Sequence, residues 1–129
     1  MGDTAQSFAG NAYTPTVTGF SSTTELQGTY TLVGKLCSVA IRIVGTSNAT
    51  GFTITLPFIA DTVPIGDGAN ATYSQIIYCI NNGAGIGTAM IRTRIGSSNV
   101  CDVYTTAAGA AWTASGSKAL AVTFSYYIV

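Results

Sequence analysis

Apolar and polar residues alternate with a period of two along most of this chain from residue 29 onward. That spacing puts successive side chains on opposite faces of a β-strand. In TYTLVGKLCSVAIRIVG (29–45), Cys37, Val39, Ile41 and Ile43 fall on one face, with Leu36, Ser38, Ala40, Arg42 and Val44 on the other. GFTITLPF (51–58) sets Phe52, Ile54, Leu56 and Phe58 against Thr53, Thr55 and Pro57. Pro57 has no N–H to give a ladder, so it marks that strand's end or an edge. ATYSQIIYCIN (71–81) is apolar on both faces at its centre, the pattern of a strand buried between layers. TAMIRTRIG (88–96) alternates Ala89, Ile91, Thr93 and Ile95 with Met90, Arg92 and Arg94, and a short strand NVCDVYT (99–105) follows the GSSN turn. The last strand, in GSKALAVTFSYYIV, points Leu120, Val122, Phe124, Tyr126 and Ile128 inward. Ala119, Ala121, Thr123, Ser125 and Tyr127 point outward.

Turn formers fill the connections GTSNATG (45–51), DTVPIGDGAN (61–70), NNGAGIG (81–87) and TASGSK (113–118). Strands at this spacing with no helical window between them predict an all-β chain, an antiparallel β-sandwich of jelly-roll type. At 129 residues it is one domain, long enough to bury a core without staples. Residues 1–12 read as an N-terminal arm and 13–129 as the sandwich.

Composition sharpens this picture. Thr occurs 20 times and Glu once, so β-branched strand formers dominate while charged helix formers are nearly missing. Only 8% of residues are charged, and the net charge is zero. With no basic run, nucleic acid and anionic membranes are poor candidates as partners. A surface of Thr, Ser, Ala and Asn has little charge to prevent association, which suits a protein made to assemble. No apolar run is long enough for a membrane-crossing helix, and the start lacks the basic and apolar pattern of a secretory signal.

Candidate chemistry is sparse. The chain has no histidine, which removes His-based triads, His-ligated metals and the commonest general base, and no cofactor is expected. Asp3, Glu25, Asp61, Asp67 and Asp102 are scattered, and read as solvated residues rather than a catalytic pair. GAGIG (83–87) fails the dinucleotide pattern because Thr88 stands where the third glycine belongs; it reads as a flexible hairpin connection. Asp61, Asp67 and Asn70 share a Gly-rich loop with oxygens to offer Ca²⁺, but the EF-hand spacing is absent, so they read by default as turn residues. Asn48-Ala49-Thr50 and Asn70-Ala71-Thr72 match the glycosylation pattern by chance in a Thr-rich chain. Cys37, Cys79 and Cys101 read as small buried hydrophobes. Trp112 reads as a cap on one end of the core, or else as an exposed binding anchor. Arg92 and Arg94 either pair with acids of a neighbouring subunit or solubilise an edge.

The order of four motifs carries a resemblance. YTPTVTG (13–19), GTYTLVGKLCSVAIRI (28–43), GFTITLPF (51–58) and WTASGSKALAVTFSYYI (112–128) follow one another. Together they resemble the small jelly-roll virion domains of tailed bacteriophages. These include head-decoration (cement) proteins and the C-terminal receptor-binding domains of tail fibres and tailspikes. The resemblance implies a homotrimer in the virion, assembled in the host cytoplasm and without catalysis of its own. Tyr13 lies so near the initiator Met that no fibre shaft fits before it, so the expectation is a decoration protein on the major capsid protein lattice. Phe8 is then the candidate capsid contact in an arm without Lys or Arg. Arg92, Arg94, Ala119, Ala121, Ser125 and Tyr127 are candidates for the trimer interface. The alternative is a receptor-binding tip that holds a host cell-surface glycan or protein through Tyr104 and Trp112.

Overall fold

The structure is a computed structural model that describes residues 10–61, 74–93, 99–106 and 110–129. Phe8, Asp67, Asn70, Thr72 and Arg94, and most of the proposed arm, lie outside the described residues. Among the described residues there is no helix, and nine strands pair throughout in antiparallel fashion. They are β1 (Asn11–Tyr13), β2 (Val17–Thr18), β3 (Phe20–Val33), β4 (Leu36–Ser47), β5 (Phe52–Thr55), β6 (Ser74–Asn81), β7 (Ala84–Thr93), β8 (Val100–Tyr104) and β9 (Ser117–Tyr127). Their order across the sheet is β1-β3-β4-β9-β6-β7-β8-β5-β2.

The sheet curls into a half-barrel because three residues carry the chain from one of its edges to the other. Between β1 and β2, Pro15 is buried, Thr16 N–H donates to Thr55 Oγ1 (2.8 Å) and Thr55 N–H donates to Thr16 O (3.0 Å). Tyr13 Oη, on the far edge strand, also reaches Thr55 O (3.3 Å). Gly19 then turns the chain out of β2 into β3 at φ +87°, and a Cβ there would meet Gly51 O at 2.5 Å. Only glycine fits that bend.

Period-two alternation explains the core directly. Cys37, Val39, Ile41 and Ile43 of β4 face Ile54, Ile91, Cys101 and Val103 across the interior, all at 2% exposure or less. Leu120, Val122, Phe124 and Tyr126 of β9 are buried, as their alternation predicts. A fully buried Ile, Leu or Phe contributes about 1.5–3 kcal/mol, so these rows hold the fold. The exposed Glu25–Arg42 pair adds little beside them. Trp112 is 3% exposed, packs on Phe52 (5.1 Å between centroids) and donates its Nε1–H to Val103 O (2.9 Å). It caps the core and has no ring face to offer at the surface.

Four details differ from the sequence reading. Residues 29–45 are a hairpin rather than one run, turning at Gly34-Lys35 between β3 and β4. β3 begins at Phe20, where register shifts at Phe20/Ser22 and Thr23/Glu25 break the alternation that would have revealed it. Asn11 and Ala12, assigned above to the arm, pair with Tyr30 and Thr29 in β1. Ala84–Gly87 belong to β7, so the GAGIG connection shrinks to a two-residue turn. Asn82 (φ 53°) and Gly83 (φ 83°) occupy it, as an Asn-Gly hairpin turn requires.

All three cysteines are free and buried: Cys37 and Cys101 are 0% exposed and Cys79 is 1% exposed. Burial raises the Cys37 thiol and pushes that of Cys79 up to about 12, which suppresses the reactive thiolate. Native protein should therefore resist alkylation and take up three labels once denatured. Rapid labelling of any thiol in the folded state would contradict this packing.

Candidate functional site

The sheet has one packed side, so its other side faces solvent from β3 to β8. On that outer side, the register aligns Gln27 with Arg42 and Ala121, Thr31 with Ser38 and Ser125, and Val33 with Leu36 and Tyr127. Another row runs through Glu25, Val44, Ala119, Ile80 and Gly85. Strand alternation thus gathers Ala119, Ala121, Ser125 and Tyr127 on one strip of β9. Beside that strip stand two residues that the sequence reading buried. Tyr78 is 62% exposed and Ile80 36% exposed, because β6 covers the core with one side and, among the described residues, no second layer covers the other. Gly85 lets the Tyr78 ring lie against the β7 backbone; a Cβ there would collide with the Tyr78 hydroxyl.

Small residues beside large ones leave a hollow of about 250 Å³, lined by Val44, Tyr78, Ile80, Ala119 and Ala121 with Arg42 at its rim. Arg42 is held by Glu25 through Nε–H···Oε1 (2.5 Å) and Nη2–H···Oε2 (3.3 Å). The Arg42 hydrogen bonds keep the Glu25 carboxyl below the usual carboxylate range. The two charges answer each other, leaving the hollow without net charge. Ser38 and Ser125 share a hydrogen bond (2.8 Å) further along the same strip.

The chain's apolar end is sewn in rather than loose. Ile128 N–H donates to Lys35 O (2.9 Å), Val129 N–H to Ile59 O (3.1 Å), and Asp61 N–H to Tyr127 O (2.8 Å). Tyr126 Oη donates to Phe58 O (2.9 Å) and accepts from Phe58 N–H (3.2 Å). Even so, Val33 (61% exposed), Ile59, Tyr127 and Val129 (68% exposed) leave this end apolar at its surface.

Arg92 and Tyr104 sit apart from the β9 strip, on β7 and β8. The Arg92 guanidinium lies 5.2 Å from the centre of the Tyr104 ring, with Asp102 opposite Arg92 in the register. Arg92 is thus engaged within its own chain, and Tyr104 is half-buried beneath it. Among the described residues no three His, Cys, Asp or Glu side chains converge to hold a metal ion.

One further residue escaped the sequence reading. Lys118 is 3% exposed, and its ammonium is held by side-chain and backbone oxygens of the β6–β7 turn and the loop before β9. Its place in the inward row with Leu120 and Val122 was the available signal. No family of known proteins, no curated protein and no solved structure matches this chain.

Proposed function

We propose that this protein is a non-enzymatic bacteriophage virion protein, a jelly-roll-like subunit that forms a homotrimer and decorates the capsid lattice as a cement protein. The observation that carries the assembly part of this reading is the outer face of β9 and β6. There Tyr78 and Ile80 stand exposed beside Ala119 and Ala121, with a neutralised Arg42–Glu25 pair at the rim. Small residues let another backbone approach closely, and an exposed aromatic beside them supplies an anchor. The virion setting rests on the order of motifs in the sequence.

The test has two stages. Light scattering after gel filtration should give about three times the chain mass of 13.2 kDa. Charging the face with Ala121→Glu, an exposed position, should return a folded monomer. A wild-type monomer at micromolar concentration would remove the trimer. The trimer is then mixed with undecorated capsids and sedimented. Full-length protein should co-sediment, and deletion of residues 2–9, which leaves β1 intact, should weaken attachment through loss of Phe8. Protein that ignores capsids but binds host cells or their glycans would establish the receptor-binding alternative.

A further inference from the structure

Lys118 closes the polar end of the core. Its Nζ donates to Ser115 O (2.9 Å), Asn82 Oδ1 (3.1 Å) and Thr113 Oγ1 (3.1 Å), with Gly116 O at 3.4 Å. None of these partners is a carboxylate. A cation taken from water without a countercharge is costly, and neutral oxygens recover only part of that cost. Burial accordingly lowers the Lys118 pKa. Asn82, which supplies one of the oxygens, is exposed and heads the single Asn-Gly step among the six asparagines of the chain. Its Nδ2–H donates to Thr113 Oγ1 (3.0 Å) and its backbone N–H to Ser117 O (2.8 Å). Gly83 sits in open space, with nothing within 4 Å of where a Cβ would be.

We propose that Asn82 is a spontaneous modification site, where deamidation in the folded protein turns the amide into an acid and thereby gives Lys118 the carboxylate it lacks. In the first step the Gly83 backbone nitrogen bonds to Asn82 Cγ and loses its proton to water. The Cγ–Nδ2 bond then breaks and nitrogen departs as ammonia with a proton from the solvent, leaving a cyclic imide. Water next adds across the imide, restoring the Gly83 N–H and producing a carboxylate. No oxidant or cofactor takes part. Gly83 offers no side chain to obstruct the attack. Lys118, donating to Oδ1, stabilises the negative charge that develops on that oxygen. Opening that restores the normal peptide link keeps the two-residue hairpin. Opening to the isomer linked through the side chain lengthens the backbone by one atom and disrupts the turn.

The test begins with the purified wild-type chain, aged in neutral to mildly alkaline buffer and mapped by peptide mass spectrometry. Asn82 should gain the mass difference between an amide and an acid roughly tenfold faster than any other asparagine, a modest effect for one oxyanion donor. Normally linked aspartate should be the main product at this position. Separately, Asn82→Asp should melt at a higher temperature than wild type at neutral pH. Among the described residues that hydrogen-bond Asn82 or the Lys118 ammonium, Lys118 is the charged one; Thr113, Ser115, Gly116 and Ser117 are neutral. Pairing with it depresses the pKa of the new carboxyl group, so the gain holds above the ordinary Asp range and disappears as pH falls through it. Adding Lys118→Met should erase the gain; should that double variant not fold, the comparison of Asn82→Asp with wild type decides alone. An unchanged Asn82, a predominantly isomerised product, or a less stable Asn82→Asp would each overturn the proposal. So would a peptide joining Lys118 covalently to Asn82, which would make the lysine itself the attacking group.

Discussion

Trp112→Ala should lower the unfolding free energy by about 3–5 kcal/mol, the range for deleting a large buried aromatic side chain. The ring is 3% exposed and packs at a tilt on Phe52, so its removal leaves a cavity between the loop before β9 and the start of β5. The indole also satisfies Val103 O in the interior at 2.9 Å. Trp112→Phe should keep much of the packing and lose about 0.5–1.5 kcal/mol with the indole hydrogen bond to that carbonyl. Domains of this kind have about 5–15 kcal/mol in total, so the alanine variant should sit near the threshold of folding at 37 °C. Urea titration would show the loss as a lower midpoint at constant slope. A loss below about 1 kcal/mol would mean the ring is not part of the core.

Alkaline pH should unfold the protein well before it unfolds one whose acids are exposed. Cys79 has its thiol pushed from an ordinary 9.0 up to about 12 by burial. Tyr126 is raised above its ordinary 10.0, chiefly by burial and then by the nearby Cys37 thiol. Tyr13 is raised as well, again chiefly by burial. Between the unfolded and folded pKa of such a group, the unfolded chain has lost the proton that the folded chain still holds. Stability must then fall as pH rises. Stability should therefore be flat with respect to these groups below pH 9. From there Cys79 begins to cost about 1.4 kcal/mol per pH unit, and Tyr126 joins it above pH 10. A melting temperature that drops steeply above pH 9, with a shallower onset in Cys79→Ala, is the expected result. A curve that stays flat to pH 11 would show that these side chains ionise in place.

Alternation made the inward rows of β4, β5 and β9 legible residue by residue, since a strand with one wet side leaves no other assignment for Val39, Ile41, Val122 or Phe124. The same rule failed where geometry departs from the pleat. The bulges of β3 hid its first half behind FSSTTELQG, which has no regular period. β6 misled for the opposite reason. Its apolar residues on both faces resemble a strand covered twice, whereas one face covers the core and the other holds Tyr78 and Ile80 in solvent. The candidate site was legible in part: the small outward residues of β9 follow from parity alone. That Tyr78 and Ile80 stand beside them depends on β6 pairing with β9 through Cys79–Leu120 and Ile80–Ala119, across a separation of about forty residues.

By itself, the sequence determined the class of the fold, the faces of its most regular strands and the burial of its three thiols. Local spacing and composition act through the two-residue repeat of a strand, so those features need no knowledge of distant partners. Tertiary structure decided which strands became neighbours, how three residues join the edges of the half-barrel, and where a lone buried ammonium meets an asparagine. These depend on pairings between segments far apart in the chain. Many registers satisfy the same alternation, and only packing of the whole core selects one of them.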